Sequence, residues 1–148
     1  MVGIPELTDA ETGLDSREVE RRHILVVEDE RPTLTLLEKI LTSAGYRVTG
    51  VLDGIAALRA AHSDPPDLVL LDLIIPGVDG YGVCALLKRD GNFHAPIIVL
   101  TGRTNDKDVK AAFDAGADAV LTKPLNRAAL LAKVAELLPA RPTPKPAP

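Results

Sequence analysis

The chain contains one cysteine in 148 residues, which excludes an internal disulfide framework and makes a reducing, cytoplasmic setting the expectation. Its aromatic side chains are two tyrosines and two phenylalanines (Tyr46, Tyr81, Phe93 and Phe113), too few and too scattered for a base-stacking platform. Positive charge is not in excess: 17 basic residues face 21 acidic ones, for a formal net charge of −4. Direct nucleic-acid binding, which needs a basic footprint, is therefore not expected. No apolar run approaches the length of a membrane span, and Met1 to Thr12 carries Glu6, Asp9 and Glu11 in place of a leader's apolar core, so neither insertion nor secretion is expected. The histidines at 23, 62 and 94 lack any metal-ligand spacing. What remains is 46% apolar and 26% charged residues, the composition of one soluble domain with a single substantial core.

Within that domain the hydrophobic period alternates. His23 to Val27, Asp67 to Leu71, Ile97 to Leu100 and Ala119 to Thr122 are short strands, and Tyr46 to Gly50 is an outer one. Those without polar alternation are expected to be buried on both faces, as in a parallel sheet covered by helices. Helical spacing follows each strand. It recurs at Leu34, Leu37, Ile40 and Leu41 after Pro32, through Ile55 to Ala61, and from Gly80 to Arg89 with Val83, Leu86 and Leu87 inward. Asp106 to Ala115 carries Val109, Ala112 and Phe113 on one face. The last helix, capped by Asn126, carries Leu130, Leu131, Val134, Leu137 and Leu138. Gly45 and Gly116 stop helices, and Asp64-Pro65-Pro66 breaks one. Five strand–helix units joined by right-handed crossovers predict an α/β fold, a doubly wound parallel sheet covered by helices. Residues 1–22 form a polar extension with a helical turn near Asp15, and residues 23–138 are the domain. Residues 139–148, with five prolines, are an extended or disordered tail or linker.

A parallel sheet gathers its strand C-termini on one edge, where such folds do chemistry. Here those ends carry Glu28-Asp29, Asp72, Thr101 and Lys123-Pro124. Singly, each has a plainer role: Asp72 as a turn aspartate, Glu28 and Asp29 as helix-terminal charges, Thr101 as a cap, Lys123 as a solvated surface residue. Together, three carboxylates, a hydroxyl and an ammonium suit a divalent cation and a phosphoryl group. Hard oxygen ligands beside a phosphate point to Mg²⁺, with Asp72 left as a carboxylate nucleophile.

Val26-Val27-Glu28-Asp29-Glu30, Asp72 through Pro76-Gly77 to Asp79-Gly80, Thr101, Gly116-Ala117-Asp118 and Lys123-Pro124, in that order, resemble the receiver domain of two-component response regulators, over roughly His23 to Leu138. The resemblance implies a (βα)5 flavodoxin-like three-layer sandwich with a five-stranded parallel sheet in the order 2-1-3-4-5. It implies that Asp72 is the phosphoacceptor, supplied by a sensor histidine kinase or a histidine phosphotransfer protein. It implies that Asp29 binds Mg²⁺ directly, Glu28 mainly through water, and Ile74 through its backbone carbonyl. Thr101 and Lys123 would contact the phosphoryl group, and the Lys123-Pro124 bond would be cis. Phosphorylation would then switch binding to a downstream protein partner, by a monomer or a phosphorylation-dependent dimer, with no catalysis beyond its own phosphorylation and autodephosphorylation.

The sequence departs from the family pattern at Val120, where an aromatic switch residue is usual, and at Gly102, where alanine is common. Ile74 and Arg103 occupy two positions through which the family tunes loss of the phosphoryl group. The alternatives are a receiver cut from a longer regulator or hybrid kinase and, more remotely, a haloacid dehalogenase-type Mg²⁺-dependent phosphatase. The second is disfavoured because Asp72-Leu73-Ile74 lacks the second aspartate of that family's Asp-x-Asp. A flavodoxin-like cofactor binder is disfavoured because Glu28-Asp29-Glu30 would repel a phosphate.

Overall fold

The computed structural model describes residues 21–75, 79–102 and 106–138. The expected helical turn near Asp15, the Pro76-Gly77 turn, Arg103 and the proline-rich segment lie outside the described residues. Five strands, β1 (His23–Val27), β2 (Arg47–Val51), β3 (Leu68–Asp72), β4 (Ile97–Thr101) and β5 (Ala119–Thr122), alternate with five helices. These are α1 (Arg31–Ser43), α2 (Gly54–Ser63), α3 (Gly80–Arg89), α4 (Asp106–Asp114) and α5 (Arg127–Leu137). All strand pairings are parallel, in the order β2-β1-β3-β4-β5. This is the doubly wound sandwich expected from the alternating period, in the flavodoxin-like strand order that the resemblance implied.

β1, β3 and β4 are buried along their whole length, which explains their unbroken apolar runs. Successive side chains point to opposite faces, so each strand feeds two cores. Leu25, Val27, Val69, Leu71, Ile97 and Val99 pack with Ala57, Val83, Cys84, Leu87 and Ala112 of α2, α3 and α4. Ile24, Val26, Leu68, Leu70, Ile98 and Leu100 pack with Leu34, Leu37, Ile40 and Leu41 of α1 and with Leu130 and Val134 of α5. Each fully buried leucine, isoleucine or valine contributes about 1.5–3 kcal/mol.

Helix ends follow local chemistry. The carboxylates of Asp53 and Asp79 accept from the Ala56 and Gly82 amides at 2.7 and 2.8 Å, and the Asn126 side chain accepts from Ala129 N at 2.9 Å. Pro32 stands in the first turn of α1, where its missing N–H is no loss. Gly45 and Gly116 take φ of +98° and +117° just beyond α1 and α4, the left-handed conformation that glycine adopts without a Cβ penalty.

Several boundaries shift from the sequence expectation. β2 begins at Arg47 because the Tyr46 amide donates to Leu41 O, finishing α1. β3 begins at Leu68, just after Asp67, whose amide donates to His23 O and whose carboxylate accepts from His23 N, both at 2.7 Å. The helix expected over Ile55 to Ala61 extends from Gly54 to Ser63. Leu86 and Phe113, both expected inward, are 46% exposed. The buried stripe of α3 is Val83, Cys84 and Leu87, whereas α4 buries only Ala112.

Candidate functional site

The sheet register brings the strand-end residues into line. Val27 is opposite Leu71, so Glu28 continues β1 at the level of Asp72; Asp72 is opposite Leu100, and Thr101 is opposite Thr122. Lys123 follows directly, its amide donating to Thr101 O at 2.8 Å. Four elements that are remote in sequence therefore end at one place, as the sequence reading required.

At this place the Lys123 ammonium lies 2.9 Å from Asp72 Oδ2 and 3.2 Å from Glu28 Oε1. The remaining oxygens are held by backbone: Ile74 N donates to Asp72 Oδ1 at 3.1 Å, and Glu30 N to Glu28 Oε2 at 3.1 Å. Glu28, Asp29 and Asp72 each offer a carboxylate oxygen within 4.8 Å of the others. Glu28 is fully buried, Asp72 is 6% exposed, and Asp29 faces solvent. Thr101 is buried, with Gly102 beyond it exposed, and Ile74 is 60% exposed at the rim. The Lys123-Pro124 peptide is cis, as the resemblance implied.

Burial pushes the Glu28 carboxyl above its ordinary range, and the charge of Asp72 pushes the same way. The Glu30 amide and the Lys123 ammonium work against that rise. For Lys123, burial alone disfavours the cation, but its bonds to Asp72 and Glu28 outweigh burial and raise its pKa overall. With all groups ionised, three carboxylates and one ammonium leave a net charge of −2. That charge, the all-oxygen donors and the solvent-facing Asp29 fit a hard divalent cation that keeps several waters, as Mg²⁺ does.

Sequence reasoning assigned Lys123 to the phosphoryl group alone; in the structure it already bridges Asp72 and Glu28. The role of Gly80 was also missed. A Cβ there would stand 2.5 Å from Leu73 Cα and 2.7 Å from Asp72 O, so the start of α3 closes directly on the backbone that carries Asp72. The sequence signal was its place at the end of the Asp72-to-Gly80 motif. Asp118, part of the motif quoted above, is structural: it accepts from Ile97 N and from the Lys88 ammonium, each at 2.8 Å.

Comparison with known proteins places this geometry in a family. The family model described as "Response regulator receiver domain" matches residues 24–135. Transcriptional regulatory protein TcrA of Mycobacterium tuberculosis is 42% identical over 123 residues, which cover 83% of this chain and 48% of TcrA. Response regulator PleD of Caulobacter vibrioides is 40% identical over 115 residues, or 77% of this chain and 25% of PleD. The chain thus spans half or less of the length of these curated relatives. Among solved structures, the receiver domain of the sensor histidine kinase PA1611 from Pseudomonas aeruginosa, with a magnesium ion coordinated in its active site cleft, matches with a TM-score of 0.74 and 36% identity, covering 79% of this chain and 97% of that one. The phosphatase and flavin-binding alternatives fall away, because the chain belongs to the response regulator receiver domain family.

Proposed function

We propose that Asp72 accepts a phosphoryl group from a phosphohistidine on a sensor histidine kinase or histidine phosphotransfer protein, and that the acyl phosphate switches binding to a downstream protein. The observation that carries this reading is the Asp72 carboxylate itself. It is nearly buried at the sheet edge, oriented by Lys123 Nζ at 2.9 Å and Ile74 N at 3.1 Å, with Glu28 and Asp29 oxygens within 4.8 Å.

In the transfer, an Asp72 oxygen forms the P–O bond as the P–N bond to the donor imidazole breaks, and the imidazole takes up a proton. Glu28, Asp29, Asp72 and the Ile74 carbonyl are the groups that would hold Mg²⁺, which supplies positive charge at the phosphoryl oxygens when bound. Once the phosphoryl group is attached, Asp72 ceases to be a carboxylate. The Lys123 ammonium then bonds the new oxygens in its place, and the Thr101 hydroxyl donates to another. Because Lys123 N is bonded to Thr101 O, movement of either residue carries the ends of β4 and β5 with it. That coupling offers a route to the α4, β5 and α5 surface that needs no aromatic at Val120. Receiver domains are signalling domains, and the turnover proposed for this one is limited to gaining and losing its own phosphoryl group.

The test is incubation with a small acyl-phosphate or phosphoramidate donor and Mg²⁺, read by intact-mass spectrometry. One phosphoryl group should be added to the wild type, none to Asp72→Asn, and none in chelator. Equal labelling of wild type and variant would remove Asp72 from the role.

A further inference from the structure

An open groove of about 930 Å³ lies at the edge of the sheet opposite Asp72, where the strands begin. Its size is at the upper end for ligand clefts. Pro66 and Asp67 precede β3 there, Ala95 and Pro96 precede β4, and Leu137 and Leu138 close α5. Much of the lining is apolar, and Leu86 contributes to it from α3. Helical spacing assigns Leu86 to a covered face, yet among the described residues it remains 46% exposed.

We propose that this groove receives the proline-rich segment at residues 139–148, which continues from α5. Leu138, the residue that precedes the segment, lines the groove, so the tether to it is short. Proline holds φ near the polyproline value, which makes such a segment a low-entropy ligand for an apolar, aromatic-bearing groove. Phe93 supplies the aromatic wall. Ten residues in that conformation reach about 30 Å, comparable with the roughly 27 Å implied by twice the radius of gyration of a domain this size. Tethering raises the local concentration to about the millimolar range.

Charge selects this occupant over the N-terminal one. The segment carries Arg141 and Lys145 and no acidic side chain, whereas in the groove Asp67 is paired with Arg22 at 3.9 Å, which leaves the Asp90 carboxylate in excess. His62 and His94, also in the lining, oppose the segment only when protonated. Residues 1–20 carry six acids against Arg17 and would meet like charge.

The full chain with a nitroxide on Ala147→Cys tests the proposal; Cys84 is 1% exposed and its thiol is pushed up to about 11 by burial, so labelling is selective. Amide resonances of Phe93 and His94 should lose intensity several-fold relative to the reduced label, while those of α1 keep theirs. Leu86→Glu, which alters an exposed position, should restore the intensities, and Lys145→Glu should restore them in part. Broadening that Leu86→Glu leaves unchanged would show only that the tether is nearby and would overturn the proposal. So would broadening of the groove by a label at Ala10→Cys but not at Ala147→Cys, which would assign the groove to the N-terminal segment.

Discussion

Replacing Asp29 with asparagine should make the metal-free protein more stable and less responsive to Mg²⁺. Asp29 contributes an oxygen within 4.8 Å of oxygens from both Glu28 and Asp72. At that separation two unit charges repel by about 3.5 kcal/mol at an effective dielectric of 20, and by about 0.9 kcal/mol in water. Because Asp29 faces solvent, the water limit is the better guide. Two such pairs, partly offset by Lys123, leave a relief of about 1–2 kcal/mol. For a domain of this size that corresponds to roughly 4–8 °C in Tm. The carboxylate that destabilises the metal-free chain is also the one most open to a hydrated cation. Wild-type stability should therefore rise with Mg²⁺, by about 2.7 kcal/mol when the ion is at 100 times its Kd, and the Asp29→Asn curve should rise much less. The assay is thermal unfolding in chelator and across a Mg²⁺ titration, with Ca²⁺-free buffers at fixed ionic strength. If Asp29→Asn melts at or below the wild-type temperature in chelator, the repulsion argument is wrong. If it keeps the full Mg²⁺ response, Asp29 is not a ligand.

Lys123→Ala leaves the carboxylates of buried Glu28 and nearly buried Asp72 without their shared cation, and should cost about 1–3 kcal/mol in denaturant unfolding at neutral pH, the penalty for buried acceptors that lose their donor; an unchanged midpoint would contradict the bridge. Gly80→Ala drives a methyl into Leu73 and the Asp72 carbonyl, for about 1–3 kcal/mol of overpacking. Its phosphoryl labelling should slow as well, and normal labelling would show that the Asp72 backbone can yield without consequence. The hydrogen bond from Arg47 depresses the Asp64 pKa below 3.8 in the folded chain. The pair's stabilisation is therefore complete above the unfolded value and is lost as pH falls through the lower folded one. With both side chains about half exposed, Asp64→Asn should cost under about 1 kcal/mol at pH 7 and nothing in strong acid, measured by urea unfolding at each pH.

The strands, and the gathering of the candidate site residues at one edge, were readable because both depend on local order: apolar runs announce a two-sided sheet, and the residue closing each run must reach its edge. What escaped depends on partners far along the chain. His23 looked like one of three scattered histidines, but it is buried, with Nε2 2.8 Å from Thr49 Oγ1 and its own amide on Asp67. Leu86 and Phe113 fit a helical period but stand at the margin of the face their helices bury. Period alone cannot locate the edge of a contact surface. The closeness of Gly80 to the Asp72 and Leu73 backbone joins residues seven and eight apart, which neither a strand nor a helical period reports.

The sheet also acts as a partition. Odd-numbered residues of β1, β3 and β4 serve the layer of α2, α3 and α4, and their even-numbered neighbours serve α1 and α5. Among the described residues the two buried clusters share no member, so either can be repacked with little steric demand on the other. Evolution, or an engineer, can thus remake the outer surface of one helical layer while the opposite layer and the strand ends between them stay in place.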